Sequence, residues 1–252
     1  MDYVDPAVRR VIEGWHSPSL GQGMPIASFG HYGHPLLLFP TAAGDFLETE
    51  RFWLLKAIEP ALLAGRVRVF SINSINSQAW MDHGLPIPEK ARRQSLYVRY
   101  IEDEVVPYIR SACQTSDIRI AAAGASFGAF HAANTAFRRP DLFDTLIAMS
   151  GFYDLGPDYL FGYSDDNCYF NNPAWYLPNL DGHNLWLLQN HVRIHILSGQ
   201  GAYEAPHASR DLAEILRHKS IPHLLDLWGH DVDHDWPWWR KMLPYSFDLL
   251  GW

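Results

Sequence analysis

Cysteine is scarce in this sequence: Cys113 and Cys168 are the only two among 252 residues. Two cysteines cannot form the disulfide network that holds small secreted domains together. A disulfide between them stays open, but a reducing compartment is the simpler expectation. The first fifteen residues, MDYVDPAVRRVIEGW, begin acidic and lack the apolar core of a signal peptide. We therefore predict a cytoplasmic protein.

Clustered positive charge is also missing. The 20 Lys and Arg are outnumbered by 28 Asp and Glu, which gives a formal net charge of -8. Because nucleic-acid binding relies on clustered cations, we expect no nucleic-acid partner. The longest apolar runs, such as PLLLFP at 35–40, are far too short to span a bilayer, so no membrane partner is expected either.

Short strand-like runs alternate with longer helical runs along the chain. Fully apolar strands separated by helices predict an α/β fold, a mostly parallel sheet with helices on both faces. MPIASFG (24–30) and PLLLFP (35–40) flank a turn with Gly33 and predict an antiparallel N-terminal hairpin. Residues 44–65 predict one helix, and 90–113 predict a long helix with a kink or break near Pro107. The length suits a single domain over 1–252.

One segment, at about 152–185, interrupts this alternation. It is long, polar and aromatic, and it is rich in Gly, Asn, Asp and Pro. A long irregular insertion in a compact domain is often a binding loop or a cap. Its aromatic residues, Tyr153, Tyr169 and Trp175 among them, are candidates for a substrate-binding wall. The alternative is that they anchor the insertion to the domain.

The stretch GASFG at 124–128 follows the apolar run DIRIAAA and precedes an alanine-rich helical segment. A Gly-x-Ser-x-Gly motif between a strand and a helix forms a sharp turn that lifts the serine oxygen above the sheet edge. We therefore interpret Ser126 as a nucleophile; the alternative is a tight turn around an ordinary serine. The start of the following helix would supply the amide of Phe127 as the first oxyanion donor. The second should come from the loop TAAGD (41–45) after PLLLFP, where Thr41 and Ala42 are the candidates.

The base should follow the last strand, because the three residues of such a site occur in the order Ser, acid, His. The segment WGHDVDHDWPWW (228–239) offers His230 and His234. We choose His234, since it lies farther into the loop and precedes the aromatic DWPWW, which could hold its ring. His230 directly adjoins the strand through Gly229 and would instead shape the loop.

The acid should follow the strand VRIHILSG, and Glu204 is the only carboxylate in the next segment, GQGAYEAP (199–206). Glu204 would accept the Nδ1 proton of His234, fix the tautomer and stabilise the imidazolium. A solvated loop glutamate is the alternative interpretation, with Asp226 or Asp233 as a substitute acid.

The loop around His234 also contains a dense set of residue types that ligate metals. Local density alone does not make a tetrahedral site, and no second cluster of comparable strength pairs with it. We therefore predict no metal. The residues concerned are His230, Asp231, Asp233, His234 and Asp235.

Three stretches together carry a family resemblance: FGHYGHPLLLFPTAAG, GASFGAFHAANTAFRRPDLFDTLIAMSGFYD and GHDVDHDWPWWRKMLPY. The chain resembles the esterase D, or "putative esterase", family of α/β-hydrolases, which includes S-formylglutathione hydrolases, feruloyl esterases, siderophore esterases and mycolyltransferases. The resemblance implies an α/β-hydrolase fold, a Ser–His–acid triad and no cofactor. The His–Asp–Trp step near the end favours His234. The chain departs from the family in having GQGAYE where an Asp is common and Pro40–Thr41 in place of a Gly–Leu step.

These observations predict a serine carboxylesterase that hydrolyses small or medium acyl esters through an acyl-enzyme on Ser126. The expected partner is a small-molecule ester, and a homo-oligomer is left open. An acyltransferase would use the same residues, because the first half-reaction is shared. A third interpretation is a binding protein on a hydrolase scaffold, since a fold does not fix a function.

Overall fold

A computed structural model describes residues 3–252 and contains one eight-stranded sheet. The strands are β1 (Arg10–Ser17), β2 (Gln22–Phe29), β3 (His34–Phe39), β4 (Val67–Ile72), β5 (Ile120–Ala125), β6 (Phe143–Met149), β7 (Arg193–Ser198) and β8 (Leu224–Leu227). Their spatial order is β1-β2-β4-β3-β5-β6-β7-β8. The β1–β2 and β2–β4 pairs are antiparallel, and all the other pairs are parallel. The mostly parallel sheet with an antiparallel N-terminal hairpin is therefore confirmed.

The hairpin is not the one expected from the sequence. β1 and β2 form it, with Arg10 opposite Phe29, whereas β3 lies between β4 and β5. β3 is almost wholly buried and takes a central place, where parallel pairing is usual. β1 is a mostly exposed edge strand, so it carries no apolar signal in the sequence. Gly33 serves a close approach: a Cβ there would lie 2.3 Å from the backbone carbon of Arg66.

Helices cover both faces of the sheet. They are α1 (Glu48–Arg51), α2 (Leu54–Ala57), α3 (Glu59–Leu63), α4 (Ile87–Tyr100), α5 (Val106–Ala112), α6 (Phe127–Arg138), α7 (Asp166–Phe170), α8 (Pro173–Tyr176), α9 (Gly182–His191), α10 (Pro206–His218) and α11 (Trp236–Leu250). The single helix predicted over 44–65 is wrong, because Trp53 adopts a left-handed conformation (φ 57°) and separates α1 from α2. The irregularity near Pro107 is a π-helical turn, Ile101–Val105, between α4 and α5. Such a turn accommodates a proline that cannot complete the hydrogen-bond ladder.

Alternate residues of the central strands supply two buried layers. In β3, Leu37 and Phe39 pack in the layer that holds the buried faces of α4, α5, α6 and α10. Leu36 and Leu38 pack in the opposite layer, with α2, α3 and α11. No helix within residues 3–252 is both long enough and apolar enough to cross a membrane.

The carboxyl edge of the parallel strands gathers the loops of interest. β3 leads into Thr41, β5 into Ser126 and β6 into Ser150, while Glu204 and His234 lie in the loops after β7 and β8. Because the parallel strands end at the same edge, these loops lie side by side. The segment 152–185 extends from this edge with a π-helical turn, α7, α8 and the start of α9.

Candidate active site

The turn at Ser126 is strained and tightly enclosed. Ser126 stands between β5 and α6 with φ 56° and ψ −124°, a conformation that costs free energy for a residue with a side chain. A Cβ on Gly124 would lie 2.4 Å from the carbonyl carbon of Gly128, and one on Gly128 would lie 2.5 Å from the oxygen of Phe39. Both glycines of the GASFG motif are therefore required by the close approach of β5, α6 and β3.

The start of α6 points backbone donors towards the serine. Phe127 is the first residue of this 12-residue helix, so its amide has no acceptor within the helix. The helix dipole also favours negative charge at this end. Ser126 itself is half-buried, and within residues 3–252 its hydroxyl makes no hydrogen bond.

Glu204 is a buried carboxylate held by two serines. Its side chain has no exposed surface. Ser150 Oγ donates to Oε1 at 2.5 Å, and Ser198 Oγ donates to Oε2 at 3.1 Å. Burial raises the pKa of Glu204, but the neighbouring His234 and the two serine donors outweigh burial, so this pKa lies below its usual range. Glu204 is thus held as an anion rather than solvated in a loop.

His234 lies beside this carboxylate. Its Nδ1 is 3.5 Å from Glu204 Oε2, which is an ion-pair distance and long for a hydrogen bond. Nδ1 is buried and has no hydrogen-bond partner in the described part of the chain. The ring meets the edge of Trp239 at 5.1 Å, and Trp239 Nε1 donates to Ser150 Oγ at 3.0 Å. A residue of DWPWW therefore contacts the ring, and it also reaches the serine that holds Glu204.

Backbone hydrogen bonds join the loop of Glu204 to the loop of His234. The amide of Gly201 donates to the carbonyl of Val232 at 2.9 Å, and that of His234 donates to the carbonyl of Ala202 at 3.0 Å. The fit leaves no room at the first glycine of the run GQG. A Cβ on Gly199 would lie 2.0 Å from the carbonyl oxygen of Val232. The run thus lets the two loops pack backbone to backbone.

The other polar residues of the His234 loop have structural partners. Asp233 accepts the amide of Ala202 at 2.7 Å, and Asp235 caps α11 through the amide of Trp236. His230 is exposed, and Asp226 accepts the hydroxyl of Tyr245. Across residues 3–252, no group of three or more His, Cys, Asp and Glu side chains is arranged to hold a metal ion. Cys113 and Cys168 are both unpaired.

In the loop after β3, one of the two predicted oxyanion donors is excluded by the structure. The amide of Thr41 donates to Glu48 Oε2 at 2.7 Å, so it is not free to bind a substrate oxygen. The amide of Ala42 donates to no acceptor in the described part of the chain. Ala42 therefore stays the candidate. Glu48 gave no signal in the sequence, because nothing marks a carboxylate of a short helix as the partner of a loop seven residues away.

Comparison with known protein families identifies the family to which the chain belongs. The family described as "Putative esterase" matches residues 72–248. The chain belongs to this esterase family. The predicted class, a serine ester hydrolase of α/β-hydrolase fold, is thereby confirmed. No curated protein matches the chain at a significant level.

Solved structures of low sequence identity share the esterase's fold. A ferulic acid esterase is 18% identical, with a TM-score of 0.73 over 96% of this chain and 97% of that one. S-formylglutathione hydrolase from Agrobacterium tumefaciens is 11% identical, with a TM-score of 0.75 over 96% and 94%. MPT51 (FbpC1) from Mycobacterium tuberculosis is 18% identical, with a TM-score of 0.67 over 95% and 98%. The likeness covers nearly the whole chain in each case.

The aromatic residues expected to line the substrate site of this esterase separate into different places. Tyr153 is 2% exposed and belongs to the core, so it offers no surface to a ligand. Tyr169 lines a cavity of about 250 Å³ with Phe137 and Arg138, in the last turn of α6. That turn is roughly 15 Å along the helix from Phe127, at 1.5 Å per residue. Tyr169 therefore lies away from Ser126, and the buried Tyr153 presents no open face to a substrate.

Trp175 packs against a different group, which surrounds Phe127. Two other aromatic residues contact that ring directly: Tyr159, which belongs to the aromatic set predicted from the sequence, and Phe152, which does not. Phe152 meets it edge-on at 4.9 Å, and Tyr159 does so at 5.6 Å. These aromatics anchor the 152–185 segment to the first turn of α6, which is the alternative considered from the sequence.

Proposed function

We propose that the protein is a serine carboxylesterase that hydrolyses small or medium acyl esters through an acyl-enzyme on Ser126. The observation that carries the proposal is the strained, glycine-enclosed turn at Ser126, at the same sheet edge as the His234–Glu204 pair. Strain of this kind persists where the surrounding structure enforces it, and it presents the serine oxygen above the strand ends. Membership of the esterase family supports the same chemistry.

In the proposed mechanism, Ser126 Oγ attacks the ester carbonyl while His234 Nε2 takes its proton. Glu204, held as an anion, would accept Nδ1–H of His234 and stabilise the imidazolium. The 3.5 Å separation of that pair needs a small movement of the ring, as is common before a substrate is bound. The protonated histidine then gives its proton to the leaving alcohol, and water repeats the cycle on the acyl-enzyme.

Negative charge on the carbonyl oxygen would be met by two backbone amides. The amide of Phe127 is supported by its place at the start of α6, and that of Ala42 by the absence of another acceptor within residues 3–252. Fixed amides stabilise an oxyanion without reorganising when the charge develops.

The test is labelling with a fluorophosphonate probe together with hydrolysis of p-nitrophenyl acetate and octanoate. We expect both to vanish in Ser126→Ala. Ser116→Ala is the matched control, since Ser116 is exposed and lies before β5, at the opposite edge of the sheet. A folded chain that neither labels nor hydrolyses either ester would overturn the proposal. Faster product formation when an alcohol is added, with ester recovered as product, would identify acyl transfer instead.

A further inference from the structure

The loop that holds Ala42 is fixed at three successive peptide planes. The plane before Thr41 is held by the bond from its amide to Glu48. The plane between Thr41 and Ala42 is held by the amide of Gly44, which donates to the carbonyl of Thr41 at 3.3 Å. The plane after Ala42 is held through its carbonyl, which accepts from Asn76 Nδ2 at 2.8 Å and from Ser74 Oγ at 3.3 Å. The direction of the Ala42 amide is therefore set by its neighbours.

Asn76 is itself the end of a buried chain of hydrogen bonds, which we name the His131 relay. Its members are at most 2% exposed. Trp80 Nε1 donates to Gln94 Oε1 at 3.1 Å, and Gln94 Nε2 lies 3.4 Å from His131 Nδ1. His131 Nε2 lies 2.8 Å from Asn76 Oδ1. The relay thus runs from Trp80 through Gln94, His131 and Asn76 to the carbonyl of Ala42.

The two ends of the relay determine its direction independently. The indole of Trp80 can only donate, so Gln94 must present its oxygen to Trp80 and its nitrogen to His131. The carbonyl of Ala42 can only accept, so Asn76 must present its nitrogen to Ala42 and its oxygen to His131. Both ends therefore require the same form of His131, neutral, accepting at Nδ1 and donating from Nε2.

The surroundings of His131 keep it in that form. The ring is 1% exposed and makes no ion pair within residues 3–252. Burial lowers the pKa of His131 to about 3, so the ring stays neutral over the working range of an esterase. A second proton at Nδ1 would also face the amide hydrogens of Gln94.

His131 also links the two amides of the proposed oxyanion site. It lies four residues after Phe127 on α6, and the two rings stack at 5.4 Å. Through Asn76 it clamps the Ala42 loop to that same helix. We propose that His131 is a positioning residue, which holds the Ala42 amide at a fixed place relative to the Phe127 amide. This inference rests on the proposed function, because it concerns how the same site binds negative charge.

Two variants of similar size separate the hydrogen bond from packing. His131→Gln keeps a donor at about the reach of Nε2, whereas His131→Met fills similar space without one. We expect kcat of His131→Met to fall at least about tenfold, with KM within about threefold, because an oxyanion donor acts mainly in the transition state. His131→Gln should recover most of that loss.

Asn134→Leu is the control for a buried polar change on the same helix. Asn134 is 1% exposed and bonds with Asn171 and Tyr176, away from the Ala42 loop. The Asn134→Leu variant should have a lower melting temperature than wild type and a kcat within about twofold of the wild-type value. Equal kcat values for His131→Met and His131→Gln, in an active wild-type esterase, would overturn the inference and leave the proposed function standing. An inactive wild-type protein would overturn both.

Imidazole nitrogen NMR of the wild-type protein gives a readout besides activity. We expect His131 to carry its proton on Nε2 and to show no titration between about pH 5 and 9. A proton on Nδ1, or titration in that range, would contradict the relay whatever the activity.

Discussion

The two sides of Ser126 are fixed in different ways. On one side, the loops of Glu204 and His234 are joined by backbone hydrogen bonds, and glycines allow the contact. On the other side, the Ala42 loop is held by buried side chains that come from α1, α4, α6 and the segment after β4. The side of the proposed acid and base thus depends on close backbone packing, and the side of the proposed oxyanion donor, Ala42, depends on the polarity of distant side chains. Substitutions on the two sides should therefore differ in how strongly they change kcat and the free energy of unfolding.

The largest effect is expected on the acid–base side, from His234→Ala. Loss of the base should lower kcat by at least about 10³-fold, since the serine hydroxyl is a weak nucleophile without it. His230→Ala is the matched control in the same loop, and its exposed side chain should matter by less than about threefold. Steady-state hydrolysis of p-nitrophenyl acetate measures both. A large loss of kcat in His230→Ala with a small loss in His234→Ala would identify His230 as the base instead.

Glu204→Gln should lower kcat by about 10²- to 10⁴-fold, because an amide stabilises the imidazolium poorly and can favour the wrong tautomer. The variant should also change how stability depends on pH. The pKa of Glu204 is lowered in the folded protein, so its ionised form adds stability that is present above the unfolded value of about 4.3. That stability is lost as pH falls through the lower folded pKa.

The difference in unfolding free energy between wild type and Glu204→Gln should therefore shrink below about pH 4.3. Urea unfolding at several pH values measures it. A difference that stays constant down to the acid transition would show that the charge of Glu204 contributes nothing to folding.

Gly199→Ala tests the close contact between the two loops. The added carbon would lie 2.0 Å from the carbonyl oxygen of Val232, and neither backbone can easily move. We expect the unfolding free energy to fall by about 2–4 kcal/mol and kcat to fall with it. Gly23→Ala is the control, since a Cβ there meets nothing within 4 Å, and it should stay within about 0.5 kcal/mol of wild type. Similar stability of both variants would mean that the loops can separate without cost.

The smallest effect is expected on the oxyanion side, from Thr41→Val. It removes the 2.7 Å bond from the Thr41 hydroxyl to Glu48 but keeps the bond from the amide. We expect a loss of about 1–2 kcal/mol in unfolding free energy. Burial already raises the pKa of Glu48, and losing this donor should raise it further. The deficit should therefore grow as pH rises, which unfolding at about pH 5 and pH 8 would detect.

The difference between the two sides also explains what the sequence predicted. Ser126, Glu204 and His234 follow strand ends in a fixed order, so the sequence alone suggested them as the proposed triad, and the structure gathers their loops at one edge. The oxyanion side has no such order. Glu48 lies seven residues from Thr41, and Asn76 lies 34 residues from Ala42. Only the folded chain shows that the amide of Thr41 already donates to Glu48.

The same reasoning applies to the fold. The buried strands β3 to β7 are apolar enough to be found in the sequence, whereas the exposed edge strand β1 is not. Pairing of β2 with β3 was the natural expectation from their proximity in the chain. It was wrong because the choice of partner depends on burial across the whole sheet, which adjacent sequence does not report.

The mutual backbone bonding of the Glu204 and His234 loops has a consequence for the protein's motions. Amides of Gly201 and His234 each donate across the gap to the other loop, so opening one loop removes the protection of both. Their hydrogen exchange should therefore report one common free energy of opening, as in a single cooperative unit. Glu204 and His234 would then leave their positions and return to them together during reversible thermal inactivation. States in which only one of the two residues is in place would be rare.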